Sequence, residues 1–203
     1  MNYSTLEENA GRFVTHVFES PQQVQFPYHN LAHTKAVVNH ANEISVFYAL
    51  NEEDIGIINI AAWFHDIGQL HGGMTDHEDR SVLIMNNYLK TMDAATTFIE
   101  AAGNCVMATK YRSNLKALPE KIICDADTYH FGTPVFRETE FLIKKEMEIR
   151  SGQEFPQWHE GSLQLLKDHV FFTEYCQLLL GQGKQENIAW LQSLIQSQKE
   201  PGL

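Results

Sequence analysis

Cysteine is scarce in this sequence, and the three present, Cys105, Cys124 and Cys176, form no CxxC pair. Their spacing excludes the thiolate zinc and dithiol redox patterns, and an odd, sparse count suits a reducing cytoplasm better than secretion. No apolar run reaches the roughly 18 residues that a membrane helix needs, so no membrane partner is expected. The opening string, MNYSTLEENAGRF, lacks the apolar core of a signal peptide. Basic charge is in short supply too: 15 Lys and Arg against 26 Asp and Glu leave a net charge of −11. Proteins that grip nucleic acid usually do so with a basic face, so nucleic acid is not the expected partner. An anionic substrate would have to be held by a metal or by a few local cations. There is no internal repeat, low-complexity tract or Pro/Gly/Ser linker, and 203 residues fit one compact domain spanning 1–203.

Strand signals are also missing, since no segment alternates with period two between hairpin turns. The apolar pattern is helical nearly throughout. Leu6, Ala10, Phe13, Val14, Val17 and Phe18 form one stripe, and His33, Val37, His40, Ile44 and Phe47 form the next. Asn51 followed by Glu52 and Glu53 reads as an N-cap with acids in the first turn of a helix through Ile58, Ala61, Ala62 and His65, which Gly68 is expected to end. Residues 69–75 read as a loop. Asp76 and Asp93 are expected to cap two further helices, and Pro119 to open a short one through Ile122, Ile123 and Asp127. Helices then follow Pro134 and Pro156, and the last is expected from about Gln185. The predicted fold is an all-α bundle of about eight or nine helices.

Ten histidines are a high count for this length, and their placement carries the argument. Three strings put metal-ligand residue types on inward-facing helical positions: YHNLAH at 28–33, AAWFHDIG at 61–68 and CDAD at 124–127. A lone histidine on an apolar face is commonly a hydrogen-bonded core residue. Here His33 and His65 both fall on apolar stripes, Asp66 follows His65, and Asp127 follows Ile123 by one helical turn. Buried carboxylates are costly unless paired or bound to a cation. A divalent cation would neutralise both acids and accept both imidazole lone pairs. A His/Asp donor set suits one transition ion, Mn, Fe, Co, Ni or Zn, with Mg an option. Four protein ligands on a six-coordinate ion leave positions for water and substrate, which is the basis for hydrolysis.

The order His33…His65-Asp66…Asp127 resembles the HD-domain metal-dependent phosphohydrolase superfamily. The strings YHNLAH, AAWFHDIG and CDAD, with QLLKDHVFFT at 164–173, are most similar to a bacterial branch of predicted HD-superfamily phosphohydrolases, so the resemblance spans about Tyr28 to Asn187. It implies an HD/phosphodiesterase-type helical core at about 28–130, C-terminal helices at about 134–197 packed on it, and metal ligands His33, His65, Asp66 and Asp127. YHNLAH also resembles the first motif of cyclic-nucleotide phosphodiesterases, which implies His29 as the acid that protonates the leaving oxygen. The ATKYR string resembles the branch's TKH string, which implies a phosphate contact for Lys110 and places Tyr111 where a second-metal histidine would stand. Arg112 could act in the same way as Lys110. DHEDRS resembles the branch's NE-x-x-S string, in which Glu78 could orient a ligand histidine or simply favour a helix start. His71 and His77 are available as extra ligands or substrate contacts, though the missing histidine favours one metal.

The resulting expectation is a cytoplasmic hydrolase that cleaves a phosphoester, mono- or diester, of a small phosphorylated metabolite, foremost a nucleotide. Two other readings use the same scaffold. One is a nucleotide-binding or interaction module without turnover. The other is an iron-dependent oxygenase that needs two irons and His71 or His77 as ligands. The last helices also offer a face that a homodimer could use.

Overall fold

The computed structural model of the chain describes residues 2–21, 23–113 and 115–199. Among the described residues there are nine α-helices and no strand: α1 Tyr3–Phe18, α2 Leu31–Phe47, α3 Glu52–Phe64, α4 His77–Thr91, α5 Thr96–Lys110, α6 Leu118–Asp127, α7 Phe136–Ser151, α8 Trp158–Asp168 and α9 Glu174–Lys199. Two 3-10 helices, Ile67–His71 and Tyr129–Gly132, complete the set. The all-α class is as the periodicity predicts. The chain divides into two compact units, Met1–Asp127 and Thr128–Leu203.

The first unit is built around α3, which packs against α1, α2, α5 and α6. Asn51 caps it, its side chain accepting from the Asp54 amide, and Glu52, Glu53 and Asp54 face the positive end of the helix dipole. Beyond that acidic turn, Gly56 to Ala62 and Phe64 are all buried. Each buried isoleucine among them contributes about 1.5–3 kcal/mol relative to exposure. The one polar residue in this stretch, Asn59, donates to Glu7 of α1 at 2.9 Å and to Asn42 of α2 at 2.8 Å.

The stripe predicted for α2 is rotated. Its buried residues are Thr34, Val37, Val38, Ala41, Ile44 and Ser45, and Phe47 is 53% exposed. Thr34 and Ser45 can be buried because their hydroxyls bond to the carbonyls four residues earlier, Asn30 and Ala41. A pattern read from apolar residues alone passes over both.

The predicted loop 69–75 is replaced in its first half by the 3-10 helix Ile67–His71. Gly68 does not terminate a helix; it permits close packing of that 3-10 helix on α4. Its amide donates to Ser81 Oγ at 2.9 Å, and a Cβ there would lie 2.1 Å from the His77 carbonyl oxygen. Asp76 precedes α4 in a left-handed conformation without capping it, and Asp93 closes α4 while α5 begins at Thr96.

In the second unit α9 starts at Glu174, well before the predicted Gln185. Gly183 is where this helix meets the 3-10 helix Tyr129–Gly132. A Cβ on Gly183 would lie 2.0 Å from the Gly132 carbonyl oxygen. Asn187 one turn later donates to the Phe131 and Thr133 carbonyls at 3.0 and 2.8 Å. Residues 169–173 run between α8 and α9 with Phe171 and Thr173 buried, and His169 Nε2 is 3.0 Å from Thr128 Oγ1.

Gly68→Ala and Gly183→Ala should each destabilise the protein by roughly 1–3 kcal/mol through overpacking. Gly161→Ala in α8, where a Cβ meets nothing within 4 Å, should instead stabilise by up to about 1 kcal/mol. Thermal melts of the three variants measure this; equal effects at all three would contradict the close-packing account.

Candidate metal centre

Four side chains from three helix ends converge in the first unit. Asn30 fixes the first. Its Oδ1 accepts from the amides of Ala32 and His33, and its Nδ2 donates to the Phe26 and Pro27 carbonyls, so the entry to α2 is tied down and His33 sits in the first turn. His65 is the C-cap of the buried α3, and Asp66 leads into the 3-10 helix. Asp127 is the last residue of α6.

The donor atoms face one another. His33 Nε2 is 3.4 Å from His65 Nε2, 3.5 Å from Asp66 Oδ2 and 3.2 Å from Asp127 Oδ1. His65 Nε2 is 3.3 Å from Asp66 Oδ2 and 3.7 Å from Asp127 Oδ1. Bonds of about 2.0–2.2 Å to a common ion, at angles between tetrahedral and octahedral, place ligand atoms about 3.0–3.5 Å apart. The donor set thus has the spacing and chemistry of a divalent-metal site. The tautomer agrees: His65 Nδ1 lies 2.8 Å from the Ala62 carbonyl, which can only accept, so the neutral ring carries its proton on Nδ1 and would offer its Nε2 lone pair to an ion.

The electrostatics show what the cluster demands. Burial works against a charged His65, but Asp66 and Asp127 outweigh it and hold the imidazole up at about 9. Burial likewise opposes ionised carboxylates. Asp66 is nevertheless kept well below the usual carboxylate range, chiefly by His65 and then His77, and Asp127 by His33 and Arg112. Two buried anions need positive charge beside them, and a divalent ion supplies it at this spacing.

The remaining residues singled out in the sequence fall into three groups. His29 lies beside the centre, its ring edge-on to that of His33 at 5.8 Å, and it acts electrostatically on Asp66. His77 and Arg112 hold the outer oxygens of the carboxylates. His77 Nε2 is 3.2 Å from Asp66 Oδ1 while its Nδ1 is 2.8 Å from the Met74 carbonyl. Arg112 Nη2 donates to Asp127 Oδ2 at 2.6 Å and its Nε to the Thr109 carbonyl. A guanidinium has no lone pair for a metal, so Arg112 is a partner of Asp127 and not itself a candidate ligand. Lys110, Glu78 and His71 point elsewhere. Lys110 Nζ sits between Asp76 at 2.6 Å and Asp79 at 2.5 Å, so the phosphate contact expected of it would require breaking both pairs. Glu78 Oε2 is 3.4 Å from His77 Nδ1; the acceptor that orients His65 is the Ala62 carbonyl. His71 is exposed and, among the described residues, shares no hydrogen bond or ion pair with the centre.

Two residues at the site are missing from the sequence reading. Asn30 has a signal, an N-cap residue type at a helix start. Gln69 has none: its Nε2 donates to Asp66 Oδ1 at 2.8 Å only because the chain turns between them.

The HD domain family matches residues 30–132, a stretch that holds all four donors and begins one residue after His29. The fold is similar to that of the Lin1889 protein from Listeria innocua, with a TM-score of 0.66 and 17% identity over 98% of each chain. It is also similar to a predicted HD superfamily hydrolase from an uncultured Thermotogales bacterium, with a TM-score of 0.64 and 20% identity over 97% of this chain and 99% of that one. No curated protein matches the sequence. At such identities the likeness speaks for the fold alone. The family match covers more than half of the 203 residues and includes the converging histidines and aspartates, and on that ground the chain belongs to the HD domain family.

Proposed function

We propose that the protein is a metal-dependent phosphohydrolase that cleaves a phosphoester of a small phosphorylated molecule, foremost a nucleotide. Membership of the HD family and the His33, His65 and Asp127 cluster support the metal-dependent hydrolase part. The observation that carries the phosphate part is the charge balance. Two carboxylates and a divalent ion would cancel, and Arg112, bonded to Asp127, adds a positive charge beside them within a chain of net charge −11. A local positive centre is what draws a phosphoanion to an acidic protein.

His33, His65, Asp66 and Asp127 would hold a divalent ion, which would supply Lewis acidity and lower the pKa of a water. The side chains do the rest. Arg112 Nη1 has no hydrogen bond among the described residues and is the donor offered to a phosphate oxygen. His29, edge-on to His33, is the group that would give a proton to the leaving oxygen. The two-iron oxygenase reading gains no support, because His71 is exposed and His77 meets Asp66 on an oxygen that Gln69 already occupies. A reducing cytoplasm fits the sparse and buried cysteines, Cys105, Cys124 and Cys176.

Protein purified without chelator should carry about one transition metal per chain by elemental analysis. Asp66→Ala should lose both the metal and phosphate release from a panel of nucleotide mono- and diesters. Failure to bind Mn, Fe, Co, Ni or Zn after loading would reject the reading. Binding without turnover on any phosphoester would favour the module that binds and does not cleave.

Arg112 and Lys110 separate in a second experiment. Loss of a charge-assisted hydrogen bond costs about 1.5–3 kcal/mol, so Arg112→Met should lower kcat/KM roughly ten- to hundred-fold. Lys110→Met should leave kcat/KM close to wild type. The reverse order would return the phosphate contact to Lys110.

A further inference from the structure

We propose that Gln69 is a positioning residue that holds Asp66 as a one-oxygen metal ligand. The proposal rests on the metal-centre reading and names the group that shapes it.

Each carboxylate of the centre turns one oxygen inward and has the other bonded by a protein donor. For Asp127 the inward atom is Oδ1, 3.2 Å from His33 Nε2, and Oδ2 is taken by Arg112. For Asp66 the inward atom is Oδ2, 3.3 Å from His65 Nε2, and Oδ1 faces Gln69 Nε2 at 2.8 Å and His77 Nε2 at 3.2 Å. A carboxylate with both oxygens free can chelate and take two coordination positions. With Oδ1 engaged by a donor, Asp66 takes one. Were the ion six-coordinate, two positions would stay open for water and substrate, and chelation by either aspartate would remove one of them.

Gln69 suits the task by its backbone. It is three residues after Asp66, and the Gln69 amide donates to the Asp66 carbonyl at 3.0 Å while its side-chain amide donates to Asp66 Oδ1. The two bonds tie one residue to the other through main chain and side chain together. The 3-10 helix that makes this possible is itself pinned to α4. The Gly68 amide donates to Ser81 Oγ, and Arg80 Nε donates to the Gly68 carbonyl at 3.0 Å. Gln69 is 3% exposed, so water does not readily replace its amide. The donor is also neutral. It engages Oδ1 beside His77 without adding a full charge of its own.

Cobalt(II) is the probe, because its visible spectrum reports coordination number and its binding can be titrated without turnover. Two variants are needed. Gln69→Leu removes the amide. Gln69→Glu keeps its size and one oxygen but places a carboxylate where the donor stood. Both should weaken cobalt(II) binding ten- to hundred-fold, the range for groups that orient a metal ligand. Both should change the cobalt spectrum, while the metal-free melting temperature of at least one stays near wild type. Wild-type affinity and spectrum in either variant would overturn the proposal and leave the metal centre standing. A wild-type protein that takes up no cobalt(II) would overturn the metal centre itself, and this proposal with it.

Discussion

Two carboxylates that both lie within 4 Å of the same two imidazoles set the central constraint on this protein. Asp66 is 5% exposed and His65 1%. Burying such anions costs far more than packing returns unless positive charge sits beside them. The fold answers with three kinds of positive partner: imidazoles facing the centre, a guanidinium behind Asp127, and the place for a divalent ion between the four donors. Each helix end that contributes a ligand is fixed by its own local device. Asn30 holds the start of α2, the apolar burial of α3 fixes His65, and the 3-10 helix sets Asp66.

The same constraint explains why the donors come from helix ends. A helix interior has its backbone hydrogen bonds closed, and its side chains leave it at regular intervals. At an end, the chain can bend and free groups can be bonded. His65 Nδ1 uses the Ala62 carbonyl in the last turn of α3, a group that an unbroken helix would spend on an amide. Asp127 closes α6, and its outer oxygen is met by Arg112 from just beyond α5. Small residues then set the approach of these ends: without a Cβ, Gly68 lets the 3-10 helix lie on the backbone of α4.

Much of this was legible in the sequence. The helical period gave the class, and the ordered histidines and aspartates are the residues that the fold brings together, because a donor type at an inward position leaves a mark in one dimension. What was not legible depends on chain reversal. Lys110 looked available until α4 brought Asp76 and Asp79 to it. The stripe of α2 was misphased because Thr34 and Ser45 satisfy their hydroxyls locally and so can be buried. The early start of α9 left no mark, since the reason for Gly183 is a backbone some fifty residues earlier in the chain, Gly132. Gln69 carried no pattern at all.

The most direct test of the account is anomalous diffraction from crystals of the manganese-loaded protein. The account predicts one strong anomalous peak between His33 Nε2, His65 Nε2, Asp66 Oδ2 and Asp127 Oδ1. Each aspartate should contribute a single oxygen, at about 2.0–2.2 Å. A peak elsewhere, such as at the exposed Asp76 and Asp79, with the four donors left metal-free, would contradict it.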